Sequence, residues 1–257
     1  MIFCNLGSGS KGNSTYVQDS GPALLVDQGF SVKNLLLRME SVGLNAAEVG
    51  AILLTHEHSD HLRGIGIFAR RFHVPVFMTA LTYNAVPRAL LKNVDVMQYM
   101  AGDELSINDL KVKTFHIPHD AADPVAVVVT GENRRVGIIT DVGNEVKYLR
   151  EYLHDLDLLF LESNHDIVML DNGPYPLGLI KRIKSRVGHL SNEQALTLFK
   201  TLPLDGRLRH LILGHLSEQN NDPKIIRKVF QKTVQKIAPK VQLDIASQNI
   251  AGPLFEL

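Results

Sequence analysis

Short apolar runs alternate with longer amphipathic stretches along this chain. Ile2–Leu6, Ser14–Gln18 and Ala23–Asp27 have the composition of strands, and they surround the turn-forming segment Gly7-Ser8-Gly9-Ser10-Lys11-Gly12-Asn13. That segment lacks the spacing of a phosphate-binding loop and opens no helix, so it reads as a hairpin turn. The spacing predicts a helix over about Ser31–Val42, a strand ending in Ala51-Ile52-Leu53-Leu54, and a further helix over Gly64–His73. Leu110–Ile117, Val125–Thr130 and Arg135–Thr140 read as successive strands, with later ones at Asp157–Leu161 and Arg209–Leu213 and a surface loop at Asn172–Pro176. Near the end, Asp222 and Pro223 fit an N-cap and first helical position. The helix that follows sets Ile225, Ile226, Val229, Phe230 and Ile237 against Lys224, Lys228, Lys232, Lys236 and Lys240. The lysine stripe reads as its solvated face. This alternation is the signature of a layered α/β architecture, and no repeat or low-complexity linker breaks it, so one domain over residues 1–257 is expected.

Composition narrows the setting. With 45% hydrophobic and 21% charged residues, the chain can bury a sizeable core. A single cysteine, Cys4, excludes an internal disulfide framework and reads as a small buried hydrophobe. The first residues lack a basic lead and a long apolar run, and no window approaches a membrane span, so a cytoplasmic location is expected. Lys and Arg together number 27, as do Asp and Glu, so any footprint for a nucleic acid must be local.

The densest chemistry lies in Thr55-His56-Glu57-His58-Ser59-Asp60-His61, directly after an apolar strand. Imidazole nitrogens and a carboxylate suit zinc and its borderline neighbours, and so many donors cannot all serve one tetrahedral ion that keeps an open position. Two adjacent ions follow from that argument. His56 and His58, at i and i+2 of an extended segment, can share one ion, while Asp60 and His61 serve the second.

At this motif the chain resembles the metallo-β-lactamase superfamily, marked by His-x-His-x-Asp-His at a strand end, and the resemblance implies a four-layer αββα sandwich. It also implies further ligands after later strands. A third ligand to the first ion is expected in Thr114-Phe115-His116-Ile117-Pro118-His119-Asp120, where His119 lies past the strand and is preferred over His116 within it. A bridging carboxylate is expected at Asp141 in Thr140-Asp141-Val142-Gly143, and a last histidine at His215. A shared anion lowers the repulsion between two cations roughly 3.5–4 Å apart.

Additional segments resemble the YycJ (WalJ) group of bacterial metallo-β-lactamase-fold nucleases: Gly7–Ser14, His119–Pro124, Leu161–Asp166, Gly188–Asn192 and His215–Ser217. That resemblance implies hydrolysis of the DNA exonuclease type. Ribonuclease Z and ribonuclease J share the same core, but the short span between Asp141 and His215 leaves no room for a β-CASP domain. The basic run Lys181-Arg182-Ile183-Lys184-Ser185-Arg186 leads into His189, and Ser191 with Gln194 makes a capping box that opens a helix. Positive side chains, open amides and an imidazole suit a phosphate and its leaving oxygen. His189 is therefore the candidate catalytic residue outside the ligand set, beside Asp60 within it. Glu162, Asn164, His165 and Asp166 are candidates for support around the site.

The expected chemistry is phosphodiester hydrolysis with two divalent ions and a bridging hydroxide. Zinc is the first choice of ion, and manganese or iron is compatible. DNA is the expected partner. A thioester or lactone hydrolase would use the same ligands and stands as the alternative, and the basic lead-in to His189 is what separates the two. A non-hydrolytic di-iron redox protein fits less well, because no flavin module or cysteine cluster accompanies the motif.

Overall fold

The computed structural model describes residues 1–143 and 147–257, which fall into two compact units. The first unit comprises residues 1–116, 121–133 and 247–257. In chain order its elements are β1 (Ile2–Gly7), β2 (Ser14–Gln18), β3 (Ala23–Val26), α1 (Val32–Ser41), β4 (Val49–Leu53), α2 (Ser59–Leu62), α3 (Ile65–Phe72), β5 (Val76–Thr79), α4 (Ala80–Ala85), β6 (Val96–Tyr99), β7 (Glu104–Ile107), β8 (Leu110–His116) and β9 (Val125–Thr130). β1, β2 and β3 pair antiparallel, β3 to β6 continue in parallel, and the terminal strand Phe255–Glu256 closes the other edge of β1. β7, β8 and β9 form an antiparallel meander. Leu35 and Met39 of α1 and Phe68 of α3 pack into one buried cluster with Leu25 and Ile52 of the strands. Burying these side chains is what fixes the strand ends, and with them the motif after β4.

The Gly7–Asn13 segment is a turn between β1 and β2, as the pattern predicts. Cys4 is buried, its thiol faces the Gly252 carbonyl at 3.5 Å, and burial pushes its pKa up to about 12. It is a packing residue, not a nucleophile.

The second unit comprises residues 117–120 and 134–246. Its strands β10 (Arg135–Ile139), β11 (Leu158–Glu162), β12 (His210–Gly214) and β13 (Gln242–Ile245) run parallel, with α5 (Ile167–Asn172), α6 (Leu177–Ile183), α7 (Asn192–Thr201) and α8 (Pro223–Ile237) between them. β11 is buried along its whole length, the pattern of a strand covered on both faces. α8 begins with Asp222 as its cap and Pro223 in its first turn. Its buried residues are Ile226, Phe230 and Val234, whereas Ile237 is exposed, which corrects the predicted apolar face. Lys240 lies past the end of the helix, because Pro239 disfavours helical backbone at Ala238. Among the described residues no helix is long and apolar enough to cross a membrane.

Asp157 holds the start of β11. It is 2% exposed and accepts from Arg134 Nη1 at 2.9 Å, Arg207 Nη2 at 2.9 Å and the Arg135 amide at 2.8 Å. Burial alone would raise its pKa, but the hydrogen bonds from Arg207, the Arg135 amide and Arg134 outweigh that and hold the carboxyl below its ordinary value. The stabilisation is therefore present above the unfolded pKa, near about 3.9, and is lost as pH falls through the lower folded value. Both arginines are partly exposed, which moderates the effect. Asp157→Ala is expected to cost about 1–3 kcal/mol at neutral pH, with the deficit shrinking in acid. Urea unfolding of both proteins across pH measures this, and a pH-independent deficit would contradict it.

Candidate metal centre

The apolar register of β4 carries the chain to Thr55, and the next residues leave the sheet. His58, on extended backbone, caps the short helix α2, and Asp60 and His61 lie in its turn. The His56 ring centroid is 4.7 Å from that of His58 and 4.1 Å from that of His61. This unit thus gathers the donors of the motif as the spacing predicts.

Asp27 orients them. It follows β3 with φ of 62°, and its carboxylate accepts from Thr55 N at 2.8 Å and from Thr55 Oγ1 at 2.8 Å. It also lies 2.7 Å from His61 Nδ1. A carboxylate only accepts, so the His61 proton sits on Nδ1 and the lone pair sits on Nε2. Thr55 Oγ1 spends its one proton on Asp27 and can only accept from His56 Nδ1, 3.0 Å away. His56 therefore also presents Nε2 as a donor of electrons. A carboxylate behind a histidine in this way is the arrangement that fixes a metal ligand. Asn13 reaches in from the β1–β2 turn, with Nδ2 at 3.1 Å from Asp60 Oδ2 and 3.0 Å from His61 Nε2. Gly29 makes the close approach feasible, since a Cβ there would lie 1.6 Å from the Asp60 carbonyl oxygen.

In the second unit, parallel pairing aligns the C-terminal ends of three strands. Ile139 of β10 is level with Leu161 of β11, and Glu162 is level with Gly214 of β12. Asp141, Glu162 and His215 therefore emerge at one end of the strands. Asp141 and His215 both take left-handed backbone, with φ of 59° and 55°. That conformation is uncommon for residues with a Cβ, and its occurrence just past two adjacent strands marks a constrained site.

Glu162 is fully buried and is the hub of this half. Its Oε1 lies 2.8 Å from His189 Nδ1 and 3.0 Å from His215 Nδ1, and its Oε2 accepts from the amides of Val142 at 2.9 Å and Leu190 at 3.2 Å. Burial raises its pKa, but attraction to His189 and hydrogen bonds from His189 and His215 reverse this and hold the carboxyl down at about 2. Both imidazoles consequently keep a proton on Nδ1 and turn Nε2 outward. Asp141 Oδ1 is 3.5 Å from His215 Nδ1 and 3.7 Å from His189 Nδ1. His119 Nδ1 faces the Gly188 carbonyl at 3.2 Å, and its Nε2 is 3.7 Å from Asp141 Oδ1. Ligand atoms of Asp141, Glu162, His189 and His215 all lie within 4.8 Å of one another, and these oxygen and imidazole donors fit a divalent metal.

The structure brings His56, His58, Asp60 and His61 together in one unit, and His119, Asp141, His189 and His215 together in the other. His116 ends β8 as an exposed residue opposite Val125, whereas His119 is buried beside Asp141. His119→Ala is accordingly expected to weaken metal binding by at least about 10-fold, while His116→Ala retains it. Equilibrium metal titration of the two variants decides this, and the reverse ranking would reassign the ligand. Of the four candidates for support, Glu162 holds the histidines and Asn164 donates to the His215 carbonyl at 2.8 Å. Asp166 caps α5 instead, and the capping box of Ser191 and Gln194 is present at α7. Sequence reasoning missed Asp27, Thr55 and Asn13. The one signal for Asp27 was an acid directly after an apolar strand, the same context that singles out Asp141.

A model of the family described as the Beta-lactamase superfamily domain matches residues 22–216. The chain is 35% identical to the exodeoxyribonuclease YycJ of Bacillus anthracis over 92% of its own length and 90% of that relative. It is 31% identical to the exodeoxyribonuclease WalJ of Streptococcus pneumoniae over 98% of its length and 96% of that relative. Among solved structures, the metallo-β-lactamase fold protein YhfI from Bacillus subtilis superposes with a TM-score of 0.74 at 17% identity, covering 99% of both chains. The expected α/β fold class is therefore the observed one.

Proposed function

The chain belongs to the β-lactamase superfamily, and we propose that within it the protein is a metal-dependent nuclease, a DNA exonuclease working with two divalent ions. The observation that carries the nuclease reading is His189, held by the buried Glu162 at 2.8 Å and standing 3.7 Å from Asp141. A thioester hydrolase with the same ligands expels a thiolate, which leaves without a proton donor and would not require this imidazole.

In this reading His56, His58 and His119 would hold one ion, Asp60, His61 and His215 would hold the other, and Asp141 would serve both. The donors are neutral imidazoles and carboxylates without thiolate, which suits zinc first and manganese or iron next. When bound, two such ions would supply Lewis-acid activation of water and charge stabilisation at the phosphoryl group. The protein's own groups do the rest. Asp27 orients His61 directly and His56 through Thr55, and Glu162 orients His215, so each ring presents Nε2 for an ion. His189 turns Nε2 toward the reacting phosphate, with Glu162 as counter-charge while the ring carries a proton, and delivers that proton to the leaving 3′ or 5′ oxygen.

The test is a metal-reconstituted screen against labelled single-stranded DNA, double-stranded DNA, RNA and a generic thioester. Metal-dependent release of nucleotides from DNA is the expected result. Turnover confined to the thioester would overturn the proposal in favour of an acyl hydrolase.

A further inference from the structure

The second unit contains a cleft of about 350 Å³ that the reaction described above does not use, lined chiefly by His165, Ile167, Lys184, Glu193, Gln194 and Thr197. It starts where the metal-binding half-site ends. His165 lies three residues beyond Glu162, and Ser191 lies two beyond His189. The two segments run together, tied by Asn164 N to Leu190 O at 3.0 Å, Asn192 N to His165 O at 2.9 Å, and a bridge between His165 and Ser191. At roughly 3.3 Å per extended residue, two to three residues span at most about 7–10 Å, so the cleft adjoins the Glu162–His189 pair.

His165 is the second observation that points to a ligand. Its ring is 2% exposed and lines the cleft, yet Nδ1 is buried without a hydrogen-bond partner. Burial, the largest effect on it, pushes its pKa down to about 4, so the ring is neutral at physiological pH. A buried polar atom left unmatched in this way is costly unless something completes it.

The walls indicate what that something is. Lys184 contributes a cation, Glu193 a carboxylate, Gln194 an amide, and Ile167 an exposed apolar face, 39% accessible. A bare anion would meet Glu193, and a bare cation would meet Lys184. A nucleotide has an apolar planar face, an edge of donors and acceptors, and an attached phosphate, which matches the set. Lys184 pairs with Asp171 at the surface, where solvent screening leaves it able to exchange partners.

We propose that this cleft is a nucleotide subsite for the strand being degraded. The base next to the scissile phosphate lies against Ile167, its polar edge faces Glu193, Gln194 and the unmatched His165 Nδ1, and its outer phosphate meets Lys184. This rests on the phosphodiesterase reading above and adds a residue-level account of how the strand is held.

Thr197→Trp tests it by filling the cleft. Thr197 is exposed on α7, and its hydroxyl donates to the Glu193 carbonyl of its own helix. Ile167→Asp, at an exposed position of α5, is the second variant and removes the apolar face. With the metal-loaded enzyme, kcat/KM is measured on a single-stranded DNA oligonucleotide and on bis(p-nitrophenyl) phosphate, which has no further nucleotide to place. Both variants are expected to lose about 10-fold or more on DNA, mainly through KM, the scale of one stacked base. Turnover of the small diester is expected to stay within about 2-fold. An abasic residue moved along the oligonucleotide should weaken the wild type at one position and leave Thr197→Trp insensitive there. Unchanged cleavage of DNA by both variants would overturn the subsite while leaving the phosphodiesterase reading intact, as would a parallel loss on both substrates. If the wild type turns over neither phosphodiester, the function itself fails and the subsite falls with it.

Discussion

Asp141→Ala protein is expected to lose metal-dependent turnover almost completely and to bind its second equivalent of metal much more weakly. Asp141 sits 3.7 Å from His119 Nε2, 3.7 Å from His189 Nδ1 and 3.5 Å from His215 Nδ1, so one carboxylate faces every imidazole of its half-site. Removing it would bring neutral rings together around cations with no shared anion to lower their repulsion. The activity loss should exceed the roughly 10–100-fold expected of a residue that only orients a ligand. Its left-handed backbone, φ of 59°, adds a complication that the test must address. Alanine tolerates that region poorly, so Asp141→Asn, which adopts it more readily and keeps the shape, is the companion variant. Both are measured by metal stoichiometry after dialysis and by nucleotide release. A metal-replete Asp141→Asn enzyme with undiminished turnover would remove Asp141 from the shared position.

The elements legible in the sequence were those whose burial is one-sided or complete over a full period. β1 to β4, β8 to β12, α1 and α3 emerge from apolar spacing within a residue or two of their observed ends, and α8 does so at its start. β5 follows Pro75 as a run of only four residues, and β6 has two exposed side chains in four, so neither stands out from a loop. α5 and α6 are each one or two turns long and meet around the Gly173–Pro176 stretch, which dominates the local pattern. Periodicity cannot resolve elements that short, because a helix of six residues shows less than two turns of its own repeat.

The centre divides in the same way. Metal-type donors declare themselves by residue type and by position after a strand, which singles out His56, His58, Asp60 and His61, and the family resemblance then points to His119, Asp141 and His215. Asp27, Asn13 and Thr55 act through another side chain and offer no metal-type pattern of their own. Asp27 reaches His61 across 34 positions of sequence, and Asn13 reaches it across 48. Only tertiary packing reveals such pairs. Glu162 lies between the two cases. Its segment drew attention through the resemblance, but its burial and its two imidazole partners are facts of three-dimensional placement.

His189→Ala is expected to retain the fold and at least most of the bound metal while losing roughly 10²–10⁴-fold in DNA cleavage, the usual range for removing a general acid or base. The fold should survive because the ring is partly exposed, at 18%, and the capping box of α7 is made by Ser191 and Gln194 without it. If the ring delivers a proton to the leaving oxygen, an activated leaving group needs less help. The defect should therefore shrink on bis(p-nitrophenyl) phosphate relative to DNA. Glu162→Gln separates this role from ligation. The amide keeps the size of the side chain but removes the buried counter-charge from His189 and His215 together. It should thus lower both metal affinity, through His215, and the proton-transfer advantage, through His189. A full loss of one metal equivalent in His189→Ala would make the residue a ligand, consistent with its ligand atom lying within 4.8 Å of those of Asp141, Glu162 and His215. Wild-type DNA cleavage by His189→Ala would leave it a loop residue beside a helix cap, and the nuclease reading would lose the observation that carries it.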